Sequence, residues 1–200
     1  MKKIAEKSRK AAFLVENGFS EIDFLDSSPV LEKEGFFIKI ISAENETLKA
    51  WNCKDWTQSY AASARLGQAY AWDYDVLVIP GGRRSVEKLK LCPETRAFIG
   101  AFISAGQPVI AYNYALELLL SLGLLSGHRV AAPVELAEDI GKAGGVWSDK
   151  PAVASAGFLT LTRQESGFSV EIRSFLKKVS LLETADSPRA SRISGKDKAA

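Results

Sequence analysis

The sequence predicts a single α/β domain, a mostly parallel sheet held between two layers of helices. Three observations carry this. Short apolar runs alternate with helical patterns along most of the chain. Several of the runs, such as Val76–Ile79 and Val109–Tyr112, are continuously apolar, as strands buried on both faces must be. The chain has 200 residues and 46% hydrophobic content, enough to bury a full core without a disulfide or metal staple.

In order along the chain, Ala11–Val15 reads as the first strand, ending at Glu16-Asn17-Gly18. Residues 20–34 read as a helix with Ser20 as N-cap and Ile22, Phe24, Leu25 and Leu31 as its apolar positions. Pro29 is expected to kink or restart it, because proline removes one backbone donor. Phe36–Ser42 forms the second strand, Thr47–Trp51 a short one, and Tyr60–Trp72 a loop. Asp75–Ile79 is a buried strand that stops at the tight turn Pro80-Gly81-Gly82. A helix over Pro93–Ala105, with proline in its first turn, leads to the strand Pro108–Tyr112 and a helix over Ala115–Leu122. The remainder reads as a strand at Val130–Ala132, a helix over Val134–Ala143, a hairpin of Ala152–Ser155 with Phe158–Thr162, and a last helix over Gly167–Val179.

Composition bounds the chemistry. One histidine and two cysteines cannot build a zinc site of several Cys and His ligands within the chain, and no metal or other cofactor is expected. Cys53 and Cys92 could make at most one bridge, which with no secretory leader expected fits a reducing, cytoplasmic setting. The net charge of +2 is uneven: residues 1–10 carry +4 and residues 181–200 carry +1, leaving −3 on the body. The basic balance thus sits at the ends and gives no reason to expect a nucleic-acid partner. No apolar run approaches the roughly 18–20 residues of a membrane span, so no membrane partner is expected. The division expected is a basic leader (1–10), one domain (11–180) and a polar tail or linker (181–200) that could tether a fused partner domain.

In a sheet of this kind, ligands bind beyond the carboxyl ends of the strands. The turn Ile79-Pro80-Gly81-Gly82 can offer backbone N–H groups to an oxyanion, although a bare Gly-Gly pair more often simply turns the chain into a helix. The combination is more specific. DVLVIPGG (Asp75–Gly82), GQPVIAY (Gly106–Tyr112) and LGLLSGHRV (Leu122–Val130), together with FLVENGFSEIDF at the start and LTLTR (Leu159–Arg163) near the end, resemble the ThiJ/PfpI family. That family lies among the class I glutamine-amidotransferase-like proteins, and the resemblance implies a three-layer, flavodoxin-like α/β sandwich over about residues 10–180.

Active members hold a cysteine on a strained strand-to-helix elbow in the pattern A-I-C-H-G-P. In this chain the stretch reads Ala111-Tyr112-Asn113-Tyr114-Ala115-Leu116. The resemblance places Asn113 at the nucleophile position and Tyr114 where histidine often stands, and an amide has no ionisable nucleophile. It also places Asp23 where the family keeps an inward glutamate, as partner of Asn113; the alternative is a solvated helix position. Arg163 matches an arginine of the terminal strand motif and could line a pocket or sit at the surface. Tyr112, Tyr114 and Trp147 could plug the pocket or line a small apolar ligand site oriented by Asn113, Gly81 and Gly82.

Cys92, before Pro93, lies where a helix dipole would lower a thiol's pKa, but it reads better as a small buried residue. Cys53 has no acid or histidine placed to activate it, and His128 reads as a loop residue. The expectation is a member with a degenerate site, a non-catalytic binding or scaffolding module. It would form a homodimer, as the family commonly does, and take a small-molecule ligand. The alternative is a hydrolase or lyase using Asp23 as base, with Gly81 and Gly82 as oxyanion donors.

Overall fold

A computed structural model describes residues 8–44, 46–162 and 167–185. Along these residues the elements are β1 (Arg9–Leu14), β2 (Phe19–Ser20), α1 (Glu21–Lys33), β3 (Phe36–Ser42), β4 (Thr47–Trp51), β5 (Trp56–Ala61), β6 (Ala64–Arg65) and β7 (Val76–Ile79). There follow α2 (Arg83–Leu91), α3 (Pro93–Ser104), β8 (Val109–Tyr112), α4 (Ala115–Ser121), β9 (Arg129–Ala131), α5 (Ala137–Lys142), β10 (Val146–Ser148), β11 (Ala152–Ser155), β12 (Phe158–Leu161) and α6 (Ser169–Ala185).

The main sheet runs β11-β12-β8-β7-β1-β3-β6, parallel throughout except at the edge, where β11 pairs antiparallel with β12. Its inner order β3-β1-β7-β8-β12 is the flavodoxin-like arrangement expected, with the strand order reversing between β1 and β7. A small sheet, β2-β4-β5, stands beside the reversal.

Strand alternation divides the interior into two cores. Ala12, Leu14, Leu77, Ile79, Val109 and Ala111 face the layer of α2, α3 and α4. Ala11, Phe13, Val76, Val78, Ile110 and Tyr112 face the layer of α1 and α6. Every side chain of β7 and β8 is buried, which explains their unbroken apolar character.

Several expectations are corrected. Pro29 does not interrupt α1, which runs unbroken from Glu21 to Lys33. Pro29 and Leu25 lie on the exposed face, where water can donate to the Leu25 carbonyl that proline leaves without a backbone donor. Of the helix's apolar positions, Phe24 and Leu31 are buried but Ile22 and Leu25 are about half exposed, whereas Asp23, Ser27 and Ser28 are buried. The segment 83–91, not assigned to any element from sequence, is the helix α2. The region 56–61, read partly as loop, is β5, which closes a hairpin with β4. The last helix, α6, begins at Ser169 and continues to Ala185, past its expected end at Val179. Residues 1–7, 163–166 and 186–200 lie outside the described residues, and with them most of the basic leader, Arg163 and most of the tail. Among the described residues no helix is long and apolar enough to cross a membrane.

Candidate functional site

The carboxyl ends of β1, β7 and β8 converge where the strand order reverses, and the connections leaving them build the site. After β1 the chain turns through Gly18 into β2 and α1. Ser20 caps α1, its hydroxyl accepting from the Asp23 N–H at 3.3 Å. The turn after β7 packs directly on this segment: Ser20 N–H donates to the Gly81 carbonyl at 2.9 Å, and Gly81 N–H donates to Asp23 Oδ2 at 2.9 Å.

Both glycines are required by proximity. A Cβ on Gly82 would lie 2.5 Å from the Gly18 carbonyl oxygen and 2.7 Å from the Ser20 nitrogen, and its φ of +103° suits only glycine. A Cβ on Gly81 would lie 2.8 Å from Asp23 Oδ2. The Gly-Gly pair therefore does more than turn the chain into α2: it lets two backbone segments touch.

Asn113, the residue after β8, lies in the left-handed region, φ +47°, and α4 begins two residues later. Asparagine is among the non-glycine residues that tolerate this conformation best. Asn113 thus carries its amide side chain on a strained turn between a strand and a helix. Asn113 Nδ2 donates to Asp23 Oδ1 at 3.4 Å, a long contact. Asp23 is buried, so its side chain faces inward and is not a solvated helix position. Burial raises its pKa above the ordinary carboxylate value, opposed by hydrogen bonds from Gly81, Ser20 and Asn113.

A cavity of about 410 Å³ opens over these groups, lined by Ser20, Asp23, Gly82, Asn113 and Tyr114 among others. It is not plugged. Tyr114 lies along its wall, with the Arg83 guanidinium 4.8 Å over its ring. Tyr112 is not a lining residue. Its ring points to the other face of the sheet, where the hydroxyl donates to Asp26 Oδ2 at 3.0 Å, and burial with the Asp26 charge pushes its pKa well above the ordinary value. Trp147 also packs away from the cavity, its Nε1 donating to the Ala132 carbonyl at 2.9 Å. Gly81 supplies no free amide, because Asp23 already accepts it.

The structure adds residues to the site that sequence reasoning missed. Trp51 and Cys53 enter from the β4–β5 hairpin, Arg83 from the start of α2, and Pro133 and Glu135 from the segment after β9. Cys53 is exposed, has φ +82° and forms no disulfide. A hairpin signal at Asn52–Asp55, where Asn52 Oδ1 accepts from the backbone of Lys54 and Asp55, would have brought Cys53 to attention had β5 been recognised.

Cys92 lines a different cavity, of about 450 Å³, with Glu16, Lys88 and Glu94. Burial and the neighbouring Glu94 raise its pKa, so the helix terminus does not lower it as its position suggested. His128 packs against Phe158, and burial lowers its pKa; it does not reach the candidate site. Among the described residues no group of three or more His, Cys, Asp or Glu is placed to hold a metal ion.

With this geometry in hand, comparisons with known proteins are specific. The DJ-1/PfpI family model matches residues 9–172. The chain is 24% identical over 168 residues to Deglycase PH1704 of Pyrococcus horikoshii, covering 84% of this chain and 98% of that protein. It is 24% identical over 156 residues to Protein/nucleic acid deglycase 2 of Escherichia coli, covering 78% and 89%. Among solved structures, a two-domain protein from Anabaena variabilis with DJ-1/ThiJ/PfpI-like and ferritin-like domains superposes with a TM-score of 0.75 at 22% identity. That match covers 92% of this chain and 52% of the other, so the present chain spans about half of the two-domain protein.

Proposed function

The chain belongs to the DJ-1/PfpI family, and from that membership we propose that it is a small-molecule-binding member whose elbow carries no thiol chemistry. One observation carries the reading. The elbow position beyond β8, which the resemblance assigns to the nucleophilic cysteine, is Asn113, and it combines a left-handed backbone with an open cavity. A carboxamide cannot form the covalent intermediate that a thiolate forms. No histidine lines the cavity to take its place. What persists is a preformed concave site with a few convergent polar groups, which is the architecture of ligand binding.

The relatives named deglycases supply the obvious activity to test. Purified protein should show no glyoxalase, deglycase, amidase or peptidase turnover above the uncatalysed rate. Robust turnover that disappears in Asn113→Ala would overturn the proposal. The homodimer and a tethered partner domain belong to the same reading, and light scattering of the full chain tests the first of them.

A second reading is favoured by the raised pKa of Asp23 beside an open cavity: a hydrolase or lyase with Asp23 as general base. Against it, Gly81 N–H, one of the two amides this mechanism assigns to the oxyanion, is committed to Asp23 itself. The mechanism therefore requires turnover that Asp23→Asn abolishes.

A further inference from the structure

The cavity is lined by two opposite charges, both exposed to solvent at its edge, that do not satisfy each other. Arg83 and Glu135 both line it, yet they do not approach within ion-pair distance. Among the described residues, Arg83 forms no ion pair and rests only on the Tyr114 ring, while Glu135 forms neither an ion pair nor a side-chain hydrogen bond. The floor carries a separate hydrogen-bonded set, Gly81 N–H and Asn113 Nδ2 both donating to the Asp23 carboxyl.

An isolated charge on a convex surface is fully served by water. Two opposed charges set around one concave space are different, because the walls exclude part of the solvent and strengthen the field between them. An entering molecule displaces water from both. A ligand with a single charge would satisfy one group and leave the other partly desolvated without a partner, which costs affinity. A ligand carrying both charges satisfies both, and a guanidinium matches a carboxylate in a planar, two-pronged geometry.

The surroundings support the same assignment. Arg83 is the first residue of α2 and is braced against Tyr114. Glu135 is held in the single 3₁₀ turn Val134–Leu136 after Pro133. Trp51 contributes an aromatic wall, and the floor presents the Ser20 hydroxyl and the Asn113 amide. We propose that this cavity binds a small dipolar molecule of the free amino-acid class, its carboxylate on Arg83 and its ammonium on Glu135, with Asn113 facing the part between. The proposal rests on the ligand-binding reading above and names its ligand class.

The test is calorimetric titration of the full chain with L-serine and L-glutamine, with propionate as the carboxylate-only probe and propylamine as the ammonium-only probe. Arg83→Gln and Glu135→Gln are titrated in parallel, and their melting temperatures are measured to show that the fold is kept. The expected result is saturable binding of an amino acid, weakened by about tenfold in each variant, with both singly charged probes weaker by a similar factor. Propionate or propylamine binding as tightly as the amino acid, or amino-acid binding that neither variant weakens, overturns the ligand class and leaves the binding reading standing. Absence of binding by all four compounds likewise overturns the ligand class, while the reading of the elbow stands or falls on the turnover assays.

Discussion

Asp23 and Gly81 are joined by a hydrogen bond between helix α1 and the turn after β7, the Gly81 N–H donating to Asp23 Oδ2 at 2.9 Å. The two residues are 58 positions apart, and the bond ties two of the three connections that form the cavity floor. Replacing Asp23 by alanine leaves a buried N–H without its acceptor, and should cost about 1–3 kcal/mol of stability. Asp23→Asn keeps an acceptor oxygen in place and should cost less than about 1 kcal/mol. Urea denaturation of the two variants checks the order; equal losses would show that the bond contributes nothing.

The same carboxyl makes stability depend on pH. Burial, as the largest cause, holds its pKa in the folded chain above the ordinary value of 3.8. The folded chain therefore keeps this proton at pH values where the unfolded chain has released it. Its contribution is most favourable below 3.8 and is lost as pH rises through the folded-state pKa. The unfolding free energy of the natural protein minus that of Asp23→Asn should fall across this window and then level off. A difference that stays constant, or grows, as pH rises from about 3.5 to 7 would contradict the assignment.

Gly82 offers the sharpest steric test. A methyl group there meets backbone atoms of Gly18, Phe19 and Ser20 at 2.5 to 2.8 Å, and no side chain can move aside to relieve it. Gly82→Ala should cost about 2–5 kcal/mol, combining backbone strain with overpacking. The melting temperature reports it directly. A variant as stable as the parent would mean that the two loops separate freely.

The two cysteines should be chemically distinct. Cys53 is exposed at the cavity, whereas Cys92 is partly buried, hydrogen-bonded to Glu94 Oε2 at 3.0 Å and raised in pKa by burial. At neutral pH a disulfide reagent should label Cys53 first, and Cys53→Ser should remove the fast phase. Amino-acid ligand in the cavity should slow that phase. Faster labelling at Cys92 would contradict this order of exposure.

Much of the fold was legible because strands buried on both faces need unbroken apolar runs, and β7, β8 and the Ala11–Leu14 part of β1 have them. Helix α2 was not, since only Ser85, Val86 and Leu89 of its nine residues are buried and the rest is largely charged. Strand β5 was missed for a similar reason: it lies on the outer sheet with most of its residues exposed. The apolar positions of α1 did not show its inward face: Phe24 and Leu31 are buried there with polar Asp23 and Ser27, while Ile22 and Leu25 face outward. The elbow and the Gly-Gly turn were legible as motifs. Trp51, Cys53, Arg83 and Glu135 were not, since separate connections bring them together and no sequence spacing relates them.

The contact of Gly82 with Gly18, Phe19 and Ser20 is made by main-chain atoms on both sides. It fixes the shape of the cavity floor without reference to the side chains that project from its rim. The floor acts as a mount with interchangeable fittings. Substitutions at Trp51, Arg83, Tyr114 or Glu135 can change what the cavity admits while its base stays put.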